Sequence, residues 1–349
     1  MKPHKYKSSG KKGFFDEKLS VDLLSEIGNP LEAISNVVDF EMFRVTLESK
    51  LLNTNKKNNA GAKPYDVVMM FKIMILQRYY GLGDKQIEYQ IVDRTSFKNF
   101  LGLESGDNIR DEKTVWAFRE HLTKVGLVEV LYAQFRDFLQ SLGLIFNEGQ
   151  LVDASFTITP RQRNTREENA QIKAGKGDDL WNDHPHKKCH KDIDARWTKK
   201  NGETFYGYKN HAKVDSKSKF INSYFVTDAS VHDSQPLADL LNDSDAGQAV
   251  HGDSAYTGKE QEKTISKYKM INKINEKGYR NKPLTAEQKE NNREKSKTRA
   301  RVEHVFGFME QSMHGLFIRS VGIVRATGII GLINLTYNLF RYEQVIRVV

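Results

Sequence analysis

Gln150-Leu151-Val152-Asp153-Ala154-Ser155-Phe156 is a short apolar run with a single acid at its centre. Its length, and Gly149 before it, predict a strand over residues 151–159. A carboxylate inside such a strand is costly unless a proton, a cation or a metal ion accompanies it. The alternative is an aspartate at a wet strand end. Two other acids lie in segments that suit the same site. Asp253 follows Ala249-Val250-His251-Gly252, which reads as a strand tip, although a plain turn residue would look the same. Glu303 sits in Arg299-Ala300-Arg301-Val302-Glu303-His304-Val305-Phe306-Gly307, spaced as a helix. There it is equally one half of an i,i+4 pair with Arg299, worth a few tenths of a kcal/mol if exposed. Taken together, a strand centre, a strand tip and a packing helix can bring three carboxylates to one point. Oxygen donors of this kind suit Mg²⁺, and two ions roughly 3.5–4 Å apart suit phosphodiester cleavage.

The composition is compatible with that chemistry. The chain has 349 residues, enough for two domains, and carries 54 Lys and Arg against 45 Asp and Glu. The net charge of +9 favours polyanionic partners such as nucleic acid or an acidic surface. A single cysteine, Cys189, excludes an internal disulfide framework and fits a reducing cytoplasm. The basic start, Met1-Lys2-Pro3-His4-Lys5, is followed by no apolar signal core. The longest apolar stretch, residues 329–340, is broken by Asn334, Thr336 and Asn338 and predicts a buried helix, not a membrane span.

Residues 1–34 read as a basic flexible tail, and 35–145 as an all-α region of short helices. Asp111 or Thr114 would cap the helix that carries Val115, Trp116, Phe118 and Leu122. A DNA-binding bundle of helix-turn-helix kind and a simple all-α packing domain fit this pattern equally. From 146 to 349 the texture is α/β. Strands are predicted over residues 204–215, 219–227, 249–253 and 269–274, with helices over 236–241 and 326–347. The polar stretch at about 160–202 reads as a long loop or partly ordered insertion, and 277–302 as a basic, largely helical segment. Within the insertion, His184, His186, Cys189 and His190 invite a zinc reading, but no second ligand pair completes it. Lys209 and His211, two apart on one strand, face the same side and suit either a phosphate or plain solvent.

The three acidic segments resemble those of DDE transposases of bacterial insertion sequences, most closely the insertion sequence 5 family. Leu151-Val152-Asp153-Ala154-Ser155 is similar to the strand of the first aspartate. Phe205-Tyr206-Gly207-Tyr208-Lys209-Asn210-His211 and Val226-Thr227-Asp228-Ala229-Ser230-Val231-His232-Asp233-Ser234 resemble the segments that follow it. Gly252-Asp253-Ser254-Ala255-Tyr256 resembles the exit of the second aspartate, and residues 299–307 the glutamate helix. Residues 93–103 and 111–119 are similar to the family's amino-terminal domain. Ser296 and Glu310 stand where the related helix pattern has a tyrosine and a lysine, and Arg110 where a proline is usual.

The resemblance implies a ribonuclease-H-like catalytic core, a mixed sheet flanked by helices, with an all-α N-terminal domain. It makes Asp153, Asp253 and Glu303 the catalytic, metal-binding triad for two Mg²⁺ ions, with Mn²⁺ as a substitute. Lys209, His211, Arg299, Arg301, Lys295 and Lys297 become candidates for contact with double-stranded DNA. Glu310 cannot make the DNA contact of the lysine it replaces, so Lys295 or Lys297 would supply it from another face. The implied activity is cleavage at terminal repeats and strand transfer by a homodimer on DNA. A ribonuclease-H-like nuclease without strand transfer, and an inactive DNA-binding descendant, are the alternatives.

Overall fold

A computed structural model of the chain describes residues 16–52, 63–104, 107, 111–200 and 202–348. Residues 1–15 of the expected tail, and Arg110, lie outside these residues. The first part is helical: α1 (Asp16–Glu26), α2 (Pro30–Val37), α3 (Arg44–Leu51), α4 (Val67–Tyr79), α5 (Asp84–Asp93), α6 (Thr95–Leu101), α7 (Glu112–Lys124) and α8 (Leu127–Ser141). Local chemistry sets several of their starts. Asn29 accepts a hydrogen bond from the Leu31 amide ahead of Pro30, the favoured first residue of a helix. Asp66 and Asp111 accept from Met69 and Thr114, so Asp111 is the cap of α7. Helix thus begins inside the stretch expected as a tail, because Leu31 and Ile34 on α2 are buried.

The second part alternates: β1 (Gly149–Ile158), α9 (Arg166–Lys173), α10 (Pro185–Lys188), β2 (Arg196–Lys200), β3 (Glu203–Asp215), β4 (Ile221–Asp228), α11 (Leu237–Leu240), β5 (Ala249–His251), α12 (Lys259–Lys267), β6 (Ile271–Asn272), α13 (Ala286–Gly307) and α14 (Ile323–Val348). The sheet runs β4-β3-β1-β5-β6, with β2 lying beside the first half of β3. β4, β3 and β1 are antiparallel neighbours, while β5 and β6 run parallel to β1. Three antiparallel strands followed by two parallel ones, with helices on both faces, make a ribonuclease-H-like core. Leu151 and Val152 point into different hydrophobic clusters on the two faces, so the apolar run of β1 is covered on both sides.

Among the described residues of the stretch at 160–202, α9, α10 and β2 are formed. Thr165 and Glu168 form a reciprocal cap on α9. Buried Asp192 accepts from the Tyr208 hydroxyl on β3 and from the Gly322 amide, tying the insertion to sheet and helix alike.

The helical part and the sheet share one core. α14 lies between them, its Phe340 stacked on Tyr79 of α4 and its Asn334 exchanging hydrogen bonds with Asn210 of β3. Asn338 donates to the Ile221 carbonyl and accepts from its amide. These polar groups, which break the apolar run in the sequence, are buried and satisfied. By length and composition alone α14 could cross a membrane, and it is longer than the stretch read from sequence, but 78 % of its most apolar window is buried inside the protein.

Candidate active site

Asp153 lies at the middle of β1, opposite Ala212 on β3. On the other side β5 pairs in parallel, Gln150 with Val250 and Leu151 with His251. The same register carried two residues on sets Asp253 beside Asp153. Gly252 allows this passage. A Cβ there would meet Ile274 Cδ1 at 2.9 Å, Val152 Cγ2 at 3.1 Å and Tyr256 Cδ2 at 3.2 Å. Asp253 then caps a short helical turn, accepting from the Ala255 amide at 2.8 Å.

Burial pushes the Asp153 carboxyl up to about 6, and the Asp253 carboxylate adds to the rise. The Ala154 amide, Arg299 and Lys200 pull the other way without cancelling it. Tyr256 stands among Asp153, Asp233 and Asp253, its phenol raised well above the ordinary value by burial and by those charges. Its buried hydroxyl has no hydrogen-bond partner among the described residues.

α13 supplies the third acid. It starts at Thr285, capped reciprocally with Gln288, and packs on β1 and β5 through buried Val302 and Val305. Glu303 is one turn beyond Arg299, and the guanidinium of Arg299 spans the site. One of its nitrogens lies 3.5 Å from Asp153 Oδ2 and another 3.0 Å from Glu303 Oε1. Glu303 itself is largely exposed, its side chain at 60 %. Among the described residues no three His, Cys, Asp or Glu side chains form a ready cluster for a metal ion. Arg299 holds a positive charge between two of the acids.

A divalent cation nevertheless fits this donor set. Asp153 is a half-buried carboxylate still raised despite Arg299, with a second carboxylate beside it and a third on a solvent-facing side chain. All are hard oxygen donors. By contrast, Cys189 is exposed, its thiol donating to the His186 carbonyl, and the zinc reading finds no cluster among the described residues.

The cations read as DNA contacts are placed differently from expectation. Lys209 is buried against Asp233 at 2.7 Å, and His211 is buried with Nε2 2.8 Å from the Thr227 hydroxyl. In a sheet covered on both faces, their shared side points inward and not to solvent. Arg299 faces Asp153 and Glu303. Arg301 donates to the Ser216 carbonyl, and Lys295 to the Ile274 carbonyl. Lys297 is exposed and paired with Glu294 on the same helix. Sequence reading missed Tyr256 and Asp233 as neighbours of the acids, although both lie in the quoted motifs.

Residues 148–339 match the family model described as Transposase DDE domain. The chain belongs to this transposase family. Residues 20–121 of the transposase match a second model, Transposase domain (DUF772), so both halves are covered. A solved structure, that of a piggyBac transposase synaptic complex with hairpin DNA, is similar over 93 % of this chain and 76 % of that one. The identity there is 12 % and the TM-score 0.43. Membership of the family brings DNA as substrate class and divalent metal as general requirement.

Proposed function

We propose that this transposase belongs to a bacterial insertion sequence of the insertion sequence 5 family, binds that element's terminal inverted repeats, and carries out Mg²⁺-dependent cleavage and strand transfer in the cytoplasm. The observation that supports this most is the pairing of Asp153 and Asp253 at adjacent parallel strands, with Glu303 one guanidinium away. Asp153, Asp253 and Glu303 would together hold the Mg²⁺ ions. Bound there, the ions supply activation of the attacking oxygen and charge stabilisation at the leaving one. The chain's own part is positional. β1 and β5 would fix two carboxylates, α13 would present the third, and Arg299 offsets part of the charge on Asp153 and Glu303. No residue has to act as a covalent nucleophile, because water and then the freed 3′-hydroxyl attack in line. Helices α2 to α8 would carry the repeat recognition, and bringing two element ends together implies a homodimer.

The test uses a duplex carrying the DNA that flanks the coding region. Wild type with Mg²⁺ should nick it, and Asp153→Asn should lose cleavage by several orders of magnitude while retaining binding. Unchanged cleavage rejects the assignment. A pre-cut end incubated with plasmid separates transposition from plain nuclease action, since only strand transfer gives joined products.

A further inference from the structure

Where α4, α5 and α7 meet residues 314–321 and the end of α10, the surface opens into a groove of about 1160 Å³. A smaller cleft of about 330 Å³ shares His190, Arg319, Ser320 and Val321 with it, so the two are continuous. Six Lys and Arg side chains line the larger groove against two carboxylates. Both carboxylates are already engaged. Asp84 accepts two hydrogen bonds from Arg119, at 2.5 and 2.8 Å, and Glu120 accepts from Arg325 Nε at 2.8 Å. Among the described residues, Arg78, Lys85, Lys188 and Arg319 form no ion pair with a carboxylate.

Arg78 is the most telling of these. Its Nε is buried and has no hydrogen-bond partner among the described residues. Burial, with the Arg119 charge nearby, lowers the guanidinium to about 10. An unsatisfied buried donor on a cation is expensive, and an anionic acceptor in the groove would remove the penalty. Arg319 also lines the groove and is exposed, its guanidinium over the Phe317 ring at 5.8 Å from the centroid. That contact holds the charge over the opening.

The groove is tied to the active-site strand. The Ile158 amide donates to the Leu316 carbonyl at 2.7 Å, and the Ile318 amide to the Ile158 carbonyl at 2.9 Å. Residues 316–318 thus extend the sheet beside the far end of β1. Ile158 is five residues from Asp153, roughly 17 Å along an extended strand. A chain of phosphates can reach from one to the other, which a single small anion cannot. The cations are also spread along an open trough and do not converge on one point.

We propose that this groove holds the phosphodiester backbone of the DNA leading away from the cut site, with Arg78, Lys85 and Arg319 contacting successive phosphates. The proposal rests on the transposase reading. Its test is binding of the full chain to a fluorescein-labelled 30-base-pair duplex of mixed sequence, read by anisotropy between 50 and 200 mM salt. Lys85→Gln with Arg319→Gln changes two exposed side chains and should leave thermal unfolding unaltered. The plot of log affinity against log salt should become shallower by about two, close to 0.9 for each phosphate no longer neutralised. Lys259→Gln with Lys263→Gln, exposed on α12 away from the groove, should keep the wild-type slope. A wild type that binds while the groove variant matches it, or while both double variants lose equally, overturns the groove assignment alone. A wild type that binds no duplex at all overturns the transposase reading and this proposal with it.

Discussion

Gly207, in the middle of the Phe205–His211 motif, gives the sharpest test of how the sheet is built. It sits on β3 opposite both Ile158 and Arg196, at φ +146°, a region that residues with a side chain avoid. A Cβ added there would lie 2.3 Å from the Thr157 carbonyl oxygen, 3.0 Å from the Thr159 nitrogen and 3.2 Å from the Ile158 Cα. All three are backbone atoms in a paired strand, so no rotamer change can make room. The disfavoured backbone costs on the order of 1–3 kcal/mol. Overpacking that forces a ladder apart adds about 1–3 kcal/mol. Gly207→Ala should therefore lose roughly 2–6 kcal/mol, a large part of the 5–15 kcal/mol typical of a folded protein. Gly307 provides the control, because it ends α13 with negative φ and nothing within 4 Å of its added Cβ. Gly307→Ala should be neutral or stabilise by up to about 1 kcal/mol. Thermal unfolding of the two variants beside wild type measures this. Gly207→Ala within about 1 °C of wild type would show that the close approach of β1 and β3 is not what selects glycine.

The acid range probes His211. Burial lowers its imidazole to about 4 from an ordinary 6.5, so the unfolded chain takes up its proton first as pH falls. Stability from this group is complete above pH 6.5 and drains away between 6.5 and about 4, by about 3 kcal/mol in all. His211→Gln should flatten that part of a stability–pH profile, and an equal slope in both proteins would refute the assignment. Lys213 holds both oxygens of Asp245 at 2.8 and 2.6 Å, with both side chains buried. Asp245→Asn strands the lysine and should cost about 3–5 kcal/mol in chemical unfolding, with Lys213→Met restoring part of it. Arg299 competes for the acids, so Arg299→Gln should enlarge the thermal shift produced by Mn²⁺. A smaller shift than wild type would mean that the guanidinium organises the carboxylates and does not compete for them.

What can be read from the chain is whatever local pattern decides. The strands carrying Asp153, the Gly207 motif and Asp253 are bounded to within a few residues, because alternation and turn residues are properties of neighbours. The strand within the insertion, β2, escapes such a reading for the same reason. Arg196–Lys200 has almost no apolar content of its own and is a strand because β3 offers it an edge. Likewise the insertion's order rests on Asp192, whose partners Tyr208 and Gly322 are 16 and 130 residues away. No window of sequence contains that information.

The inward placement of Lys209 and His211, read from sequence as candidate DNA contacts, has a physical origin in β3. A basic residue in a catalytic motif suggests a phosphate partner when only charge is visible, but charge does not say which face of a sheet is covered. β3 is buried on both sides, by α14 through Asn210 and by the cluster around Tyr256 on the other, so its cations must find partners inside. Lys209 finds Asp233, Lys213 finds Asp245, and His211 stays neutral. The motif therefore shapes the wall behind the acids, and the cations without a carboxylate partner lie elsewhere. The uncompensated ones line the groove at Arg78 and Arg319, which belong to helical and connecting segments that carry no catalytic acid.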